Sequence, residues 1–504
     1  MTNTLYDALI GAHAGNHAPF LETDDKRQIS FARFTAKVAQ IAHALTAAGV
    51  APGDRVVAQV PKRWEVLALY GACLQCGAVY LPLNTAYTTA ELEYFVSDAA
   101  PRLLVCDPKD VQALQPLAET CEAKVLTIAA DGSGTLNTAA KDQPKSFETV
   151  PRGPDDLAAL LYTSGTTERS KGAMLTHGNM LSNAGALTDL WQITERDRLI
   201  HALPIFHTHG LFVAMNTSLL AGAQVRLMER FDLEKVLEEI PQSTLLMGVP
   251  TFYTRLLSDL GLDRALCRKM RLFVSGSAPL LAETHDAFVS RTGHRILERY
   301  GMTETNMNTS NPYEGARVAG TVGLPLPGVE VRITDSNAAS GAVTELAQGD
   351  IGMIEVRGPN VFKGYWNMPE KTAEELREDG FFLTGDLGRI DEKGYLSIVG
   401  REKDLIISGG YNIYPKEIED VLNDVEGVSE SAVFGVADPD FGEKVIAAVV
   451  AEPGTELQEE TLRSAITTAL ARFKHPRHYQ FCAELPRNTM GKVQKKQLRE
   501  QYRD

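Results

Sequence analysis

The chain has 504 residues, 65 acidic against 50 basic, a formal net charge of −15, 44% hydrophobic and 23% charged residues. That balance excludes a disordered or collagen-like chain and argues against general binding to nucleic acid or anionic membranes, so any phosphate site must be local. The length exceeds one ordinary domain of roughly 100–200 residues and predicts two to four structural units.

The opening, MTNTLYDALIGAHAGNHAPF, lacks a charged start followed by an apolar core, so no secretory leader is expected. Nowhere do roughly 18 uncharged apolar residues run together, so no membrane span is predicted. Six cysteines are too few for a disulfide framework and fit a reducing compartment, which predicts a cytoplasmic protein. Helix-like apolar spacing covers 34–49 and 64–77, with short apolar runs at 55–60, 103–106 and 125–128. Cys73 and Cys76 read as small apolar thiols on a buried helix face, because no second ligand pair for a zinc ion lies nearby.

The alternation continues through strands expected at 158–162, 199–203, 225–228, 245–249 and 272–275, each followed by a helical stretch. It predicts an α/β fold with largely parallel sheets buried on both faces. From about residue 321 Gly and Pro become dense and the predicted strands short (329–333 and 352–356), which reads as a β-rich subdomain. After about 400 come a helix (415–424), a strand pair (432–436 and 445–451), a helix (459–471) and a last strand and helix. That unit of about 100 residues is large enough to fold alone and makes the whole α+β. A basic cluster near the end (Arg472, Lys474, Arg477, Arg487, Lys492, Lys495, Lys496, Arg499) reads as a solvated face.

Within LYTSGTTERSKG a predicted strand runs into Thr163, Ser164, Gly165, Thr166 and Thr167, and then Lys171. Hydroxyls, open backbone N–H groups and a cation suit a polyphosphate, although a Ser/Thr/Gly run can also be a plain surface turn. Lys171 precedes Gly172 and Ala173, so this is not a Walker loop, which disfavours a kinase or P-loop ATPase. Further motifs follow in order: LPIFHTHGL with His207 and His209, VSGSAPL with Gly276, Ser277 and Ala278, and ERYGMTET with Arg299, Tyr300, Thr303 and Glu304. FFLTGDLG holds Asp386, GREKDLIISGGYNIYPKEIE holds Arg401, Lys403, Gly409 and Gly410, and PRNTMGKVQK holds Lys492.

Taken together, these motifs resemble the adenylate-forming superfamily of acyl-CoA synthetases, luciferases and peptide-synthetase adenylation domains. The resemblance implies a large N-terminal AMP-binding domain over 1–400 (β-rich from about 321), a hinge at 401–403 pivoting on Lys403, and a small mobile C-terminal lid over 404–504. It implies that the 163–167 loop, Lys171, the 276–278 loop, Tyr300, Asp386 and Arg401 bind ATP and AMP, that Thr303 touches the α-phosphate, and that Glu304 holds Mg²⁺. It further implies His207 at the acyl pocket, Gly409 and Gly410 facing the coenzyme A step, and Lys492 entering for adenylation. One departure stands out: Glu168 replaces the family's usual glycine, and its carboxylate would repel a triphosphate unless it turns outward or helps hold the metal.

Arg299 stands where most relatives carry a small or neutral residue. A guanidinium aimed into an acyl pocket needs an anionic partner, which a second substrate carboxylate would supply bidentately. With HTHGL, this resembles the malonyl-CoA and methylmalonyl-CoA synthetases, and His209, Ser277 and Arg255 would complete a distal-carboxylate site. In the blander reading Arg299 pairs with Glu298 and faces away. The expected activity is ATP-dependent adenylation of malonate or methylmalonate followed by transfer to coenzyme A, with Mg²⁺, no nucleic acid or membrane partner, and Lys492 as a possible target of regulatory acetylation. The alternatives are a medium-chain or aryl acyl-CoA ligase, or a catalytically weakened nucleotide-binding relative marked by Glu168.

Overall fold

The computed structural model describes residues 2–163, 170–335, 343–408, 411–488 and 491–502. Two compact units emerge, Met1–Glu330 with Arg357–Phe382, and Val331–Val356 with Leu383–Asp504. The β-rich stretch expected over 321–400 is thus shared between them.

In the first unit one sheet runs, in spatial order, Lys124–Thr127, Leu103–Cys106, Arg55–Gln59, Val79–Pro82, Leu157–Tyr162 and Gly172–Thr176. All neighbours are parallel except the last pair. Its four inner strands are largely apolar on both faces, as helix-covered parallel strands must be, and Leu81, Phe95, Leu104 and Leu160 share one core. The helix Trp64–Cys76 is buried at every position, Cys73 and Cys76 included, so it has no solvent face at all. The strand Gly172–Thr176 was not expected. Here the chain forms a hairpin where sequence reading placed a helix directly after 158–162, and the helix His177–Leu190 follows only afterwards, capped by Thr176.

A second sheet of nine strands runs Leu324–Pro325, Asn306–Ser310, Leu297–Met302, Leu272–Ser275, Leu245–Gly248, Arg198–His201, Gln224–Leu227, Pro19–Glu22 and Gln28–Ser30. The six from Leu297–Met302 to Pro19–Glu22 are parallel, and the outer pairings are antiparallel. The loops after His201, Gly248 and Ser275 therefore leave the sheet on the same edge, the carboxyl end of parallel strands, where open α/β sheets place their ligands.

The second unit contains a four-stranded sheet, Glu330–Thr334, Gly352–Arg357, Phe382–Ile390 and Leu396–Arg401. Glu355, fully buried, accepts from Arg332 at 2.7 Å and from Thr334 at 2.8 Å inside it. A five-stranded sheet centres on Gly442–Ala451, flanked by Val428–Asp438 and His478–Cys482. The helices Pro415–Asn423 and Glu459–Ala469 cover one face through Ile418, Leu422, Leu462 and Ile466. The other face carries Phe434 and Ile446 against Leu498 of the helix Lys495–Gln501. No helix among the described residues is long and apolar enough to cross a membrane.

Candidate functional site

The phosphate-loop strand ends at Tyr162, whose hydroxyl donates to Asp98 at 2.6 Å, and the N–H of Thr163 donates to the Lys171 carbonyl at 3.0 Å. Ser164, Gly165, Thr166, Thr167 and Glu168 lie outside the described residues. Beyond them, the Ser170 carbonyl accepts from the Tyr94 hydroxyl at 2.6 Å. Lys171 Nζ sits 2.8 Å from Glu375 Oε1 and 4.4 Å from the centroid of the Tyr365 ring. The Tyr365 hydroxyl is 2.6 Å from Glu375 Oε2 and 3.0 Å from Glu304 Oε1. A phenol has a single proton, so it satisfies only one of these carboxylates at a time. Burial pushes the Glu375 carboxyl up, but Lys171, Tyr365 and Lys371 together hold it below its usual range. Tyr365 and Glu375 were missed by sequence reading: they lie in KGYWNMPEKTAEEL, where nothing local marks them.

Tyr300 is buried, Glu304 is 5% exposed, and Thr303 is half-buried in the turn between the strands Leu297–Met302 and Asn306–Ser310. Among the described residues no cluster of three or more His, Cys, Asp or Glu could cage a metal. One buried carboxylate does fit Mg²⁺, which usually keeps its waters and takes one or two protein carboxylates plus phosphate oxygens.

Arg299 lies on the strand Leu297–Met302, 4% exposed. Successive strand residues point to opposite faces. Its neighbour Glu298 accordingly faces His285, at 3.8 Å, and is not the partner of Arg299. The guanidinium lies flat on the backbone of Gly276, where a Cβ would stand 2.4 Å from Arg299 Cζ. Next in the chain is Ser277, a non-glycine residue with φ of +71°, whose hydroxyl is 3.3 Å from His209 Nδ1. Arg299 Nε and Nη2 and His209 Nε2 are buried without hydrogen-bond partners among the described residues. Burial draws the Arg299 pKa down to about 9. Burial first, and then the charge of Arg299, push that of His209 well down, so its ring stays neutral. Unmet nitrogens beside a cation, with no acid among the described residues to balance it, suit an anion.

His207 is half-buried and accepts from the His209 N–H at 3.3 Å through Nδ1. Arg255 is not brought to this cluster. On the helix Pro250–Leu257 the inward face belongs to Phe252, Tyr253 and Leu256, and Arg255 is exposed, its guanidinium 5.9 Å from the centroid of the Phe231 ring. Gly276 is buried beneath Arg299, and Ala278 is half-buried.

In the second unit Asp386 is 5% exposed and its Oδ1 lies 2.7 Å from Arg401 Nε. The two are direct register partners on antiparallel strands, which explains how residues 15 apart meet. Lys403 is exposed on the short helix Glu402–Asp404. Gly409 and Gly410 lie outside the described residues. Lys492 is exposed, with its N–H donating to Asn488 Oδ1 at 3.0 Å. Around it the basic cluster is neutralised in part: Lys474 pairs with Glu417, Arg487 with Glu430, Lys495 with Glu419 and Arg499 with Asp404.

The profile described as AMP-binding enzyme matches residues 11–366, and that of the AMP-binding enzyme C-terminal domain matches 417–492. The malonate–CoA ligase of Arabidopsis thaliana is 38% identical over 457 residues, covering 84% of this chain and 74% of its own. The feruloyl-CoA synthase of an Amycolatopsis species is 37% identical over 476 residues, with 94% of each chain covered. The crystal structure of ATP-bound MatB from Rhodopseudomonas palustris superposes with a TM-score of 0.98 at 53% identity, over 100% of this chain and 99% of that one.

Proposed function

The chain belongs to the AMP-binding enzyme family, and from that premise we propose that it is an acid–CoA ligase that activates malonate or methylmalonate. The observation that carries the choice of acid is Arg299, buried beside Ser277 with two nitrogens that, like His209 Nε2, find no partner among the described residues. With His209 Nδ1 accepting from the Ser277 hydroxyl, Nε2 carries the ring proton, and an apolar acyl chain would leave all three donors stranded, whereas a distal carboxylate satisfies them.

In the first half-reaction a carboxylate oxygen of the acid attacks the α-phosphorus of ATP and the bond to pyrophosphate breaks, giving acyl-AMP. In the second, the thiol sulfur of coenzyme A attacks the acyl carbon, AMP leaves with the bridging oxygen, and the thiol proton is released. The barrier in the first step is repulsion between anions, so cations and N–H donors matter more than a protein nucleophile. Lys171 and Thr303 lie along the phosphates in this reading, Tyr300 beside adenine, Asp386 on the ribose hydroxyls, and Lys492 arrives on the lid that pivots at Lys403. Glu304 would hold Mg²⁺, which supplies charge neutralisation on the phosphate oxygens when bound. Lys171, now paired with Glu375, must exchange that carboxylate for phosphate oxygens, and Tyr365 can then donate its proton wholly to Glu375.

Acetylation of Lys492 would remove its phosphate contact, and Lys492→Gln with full adenylation activity would dismiss that control. Six cysteines, all free, support a cytoplasmic placement, which cell fractionation tests. The decisive experiment is ATP–pyrophosphate exchange with malonate, methylmalonate and propionate. The dicarboxylates should exceed propionate by about 10³-fold or more, because sites built around a substrate polar group reject the analogue lacking it by roughly 10⁴–10⁵. Comparable rates with propionate would remove Arg299 from the recognition of the acid.

A further inference from the structure

Between the strand Arg198–His201 and the π-helix His209–Met215 the chain turns through residues 202–208, which carry His207 and lead into His209. Two side chains fasten the ends of this turn. Lys62 comes from the connection between the strand Arg55–Gln59 and the helix Trp64–Cys76. Its Nζ lies 2.9 Å from His201 Nδ1, 3.0 Å from the His201 carbonyl and 2.7 Å from the Leu203 carbonyl. On the far side of the same ring, His201 Nε2 lies 2.7 Å from the Gly210 carbonyl.

The chemistry of the acceptors fixes the protons. A carbonyl only accepts, so Nε2 carries the hydrogen and Nδ1 offers its lone pair to Lys62. Burial draws the Lys62 pKa well down, and the charges of Asp24 and Glu229 oppose it; with one acceptor for each N–H, the geometry also works toward the charged form. Burial, with the charge of Lys62 second, draws the His201 pKa down to about 3, so the ring remains the neutral relay this requires. The closure of the turn is tight: a Cβ on Gly210 would stand 2.0 Å from the Pro204 carbonyl oxygen. Packing alone does not hold the turn, because Pro204, Ile205 and Phe206 line a cavity of about 310 Å³ that Lys62 also borders.

We propose that Lys62, acting through His201, is a positioning residue for the acid subsite, clamping both ends of the 201–210 turn so that His209 meets Ser277 and faces the substrate carboxylate. The inference rests on the reading of His209, Ser277 and Arg299 as that subsite. Lys62 touches no reacting atom. Its contribution is to choose one arrangement of a turn that borders a cavity, and the cost of losing it falls on the acid rather than on ATP.

The test uses the full-length enzyme and ATP–pyrophosphate exchange, titrated with ATP and with whichever acid the wild type uses best. Lys62→Met keeps the length of the side chain and removes its donors. His201→Asn keeps an acceptor near Nδ1 and removes the donor to Gly210. Each variant is expected to raise KM for the acid about 10-fold or more, the loss typical of a hydrogen bond to a charged group, with KM for ATP within about twofold of wild type. If Lys62→Met does not fold, His201→Asn carries the test, with its Tm measured alongside. Acid KM unchanged, or acid and ATP KM rising together, would overturn the proposal. The wild-type ranking of malonate against propionate tests the subsite reading separately, and its failure would not mimic a failure of the clamp, which is scored as a ratio to wild type on one acid.

Discussion

Replacing Arg299 with methionine should make the ligand-free protein more stable and the enzyme much poorer with malonate. The folded chain holds this guanidinium 4% exposed, with two nitrogens unmet among the described residues and its pKa drawn down by burial to about 9. Because the folded-state value lies below that of the unfolded chain, the cost is complete at neutral pH and fades only as pH climbs above about 9. At 1.36 kcal/mol for each pKa unit this is roughly 4–5 kcal/mol as an upper figure, of which an apolar side chain of similar length would recover a part. Even about 1 kcal/mol recovered should raise Tm by about 2 °C. Against this, truncating one partner of a buried charge pair costs about 2–5 kcal/mol, or about 30-fold to several-thousand-fold in kcat/KM for malonate. Differential scanning fluorimetry with and without malonate, beside ATP–pyrophosphate exchange, reads both. The stabilising shift on adding malonate should be present in wild type and absent in Arg299→Met. An unchanged or lowered Tm together with malonate rates near wild type would refute the reasoning and make Arg299 an ordinary structural residue.

Three further outcomes are expected. Gly276→Ala puts a methyl 2.4 Å from Arg299 Cζ and should displace the guanidinium, lowering kcat/KM for malonate about 10-fold or more while KM for ATP, in the same titrations, stays near wild type. Lys492→Ala should lose about 10²–10³ in adenylation and far less in thioester formation from supplied acyl-AMP. Measuring the half-reactions separately decides it, and equal losses would reject the role. Burial draws His177 down to about 4 and His201 to about 3, so the unfolded chain binds more protons as pH falls below about 6.5 and stability must drop with it. At about pH 5 each costs about 2 kcal/mol, readable as a lower urea midpoint than at about pH 7.5, and a midpoint equal at the two pH values would refute it.

Parallel strands buried on both faces announce themselves as short apolar runs, and the strand Leu103–Cys106 falls where the sequence placed it. The strand Val428–Asp438 is longer than its apolar segment, because Glu430 and Ser431 continue the ladder with polar side chains past a bulge at Ser429. The hairpin through Gly172–Thr176 was hidden by the polar loop before it. At the site, residues gathered in motifs were legible, and Arg299 stood out because a charge sits where none is usual. Partners joined only by folding were not: Lys62 meets His201 across 139 positions, and Lys171 meets Glu375 across 204. Arg255 lies on the exposed side of its helix because Phe252, Tyr253 and Leu256 take the inward face, a phase that its motif did not reveal.

The two compact units are interleaved along the chain, each built from two separate stretches. During synthesis the first cannot be completed when residue 330 emerges, since Tyr365, the phenol beside Glu304, and Asn360, which donates to the Thr305 and Met307 carbonyls, are made only after part of the second unit. A nascent chain halted near 330 must therefore wait with buried polar groups unsatisfied. Any attempt to exchange the second compact unit by cutting once, at a single junction, would leave one of the two units short of a strand or of its site.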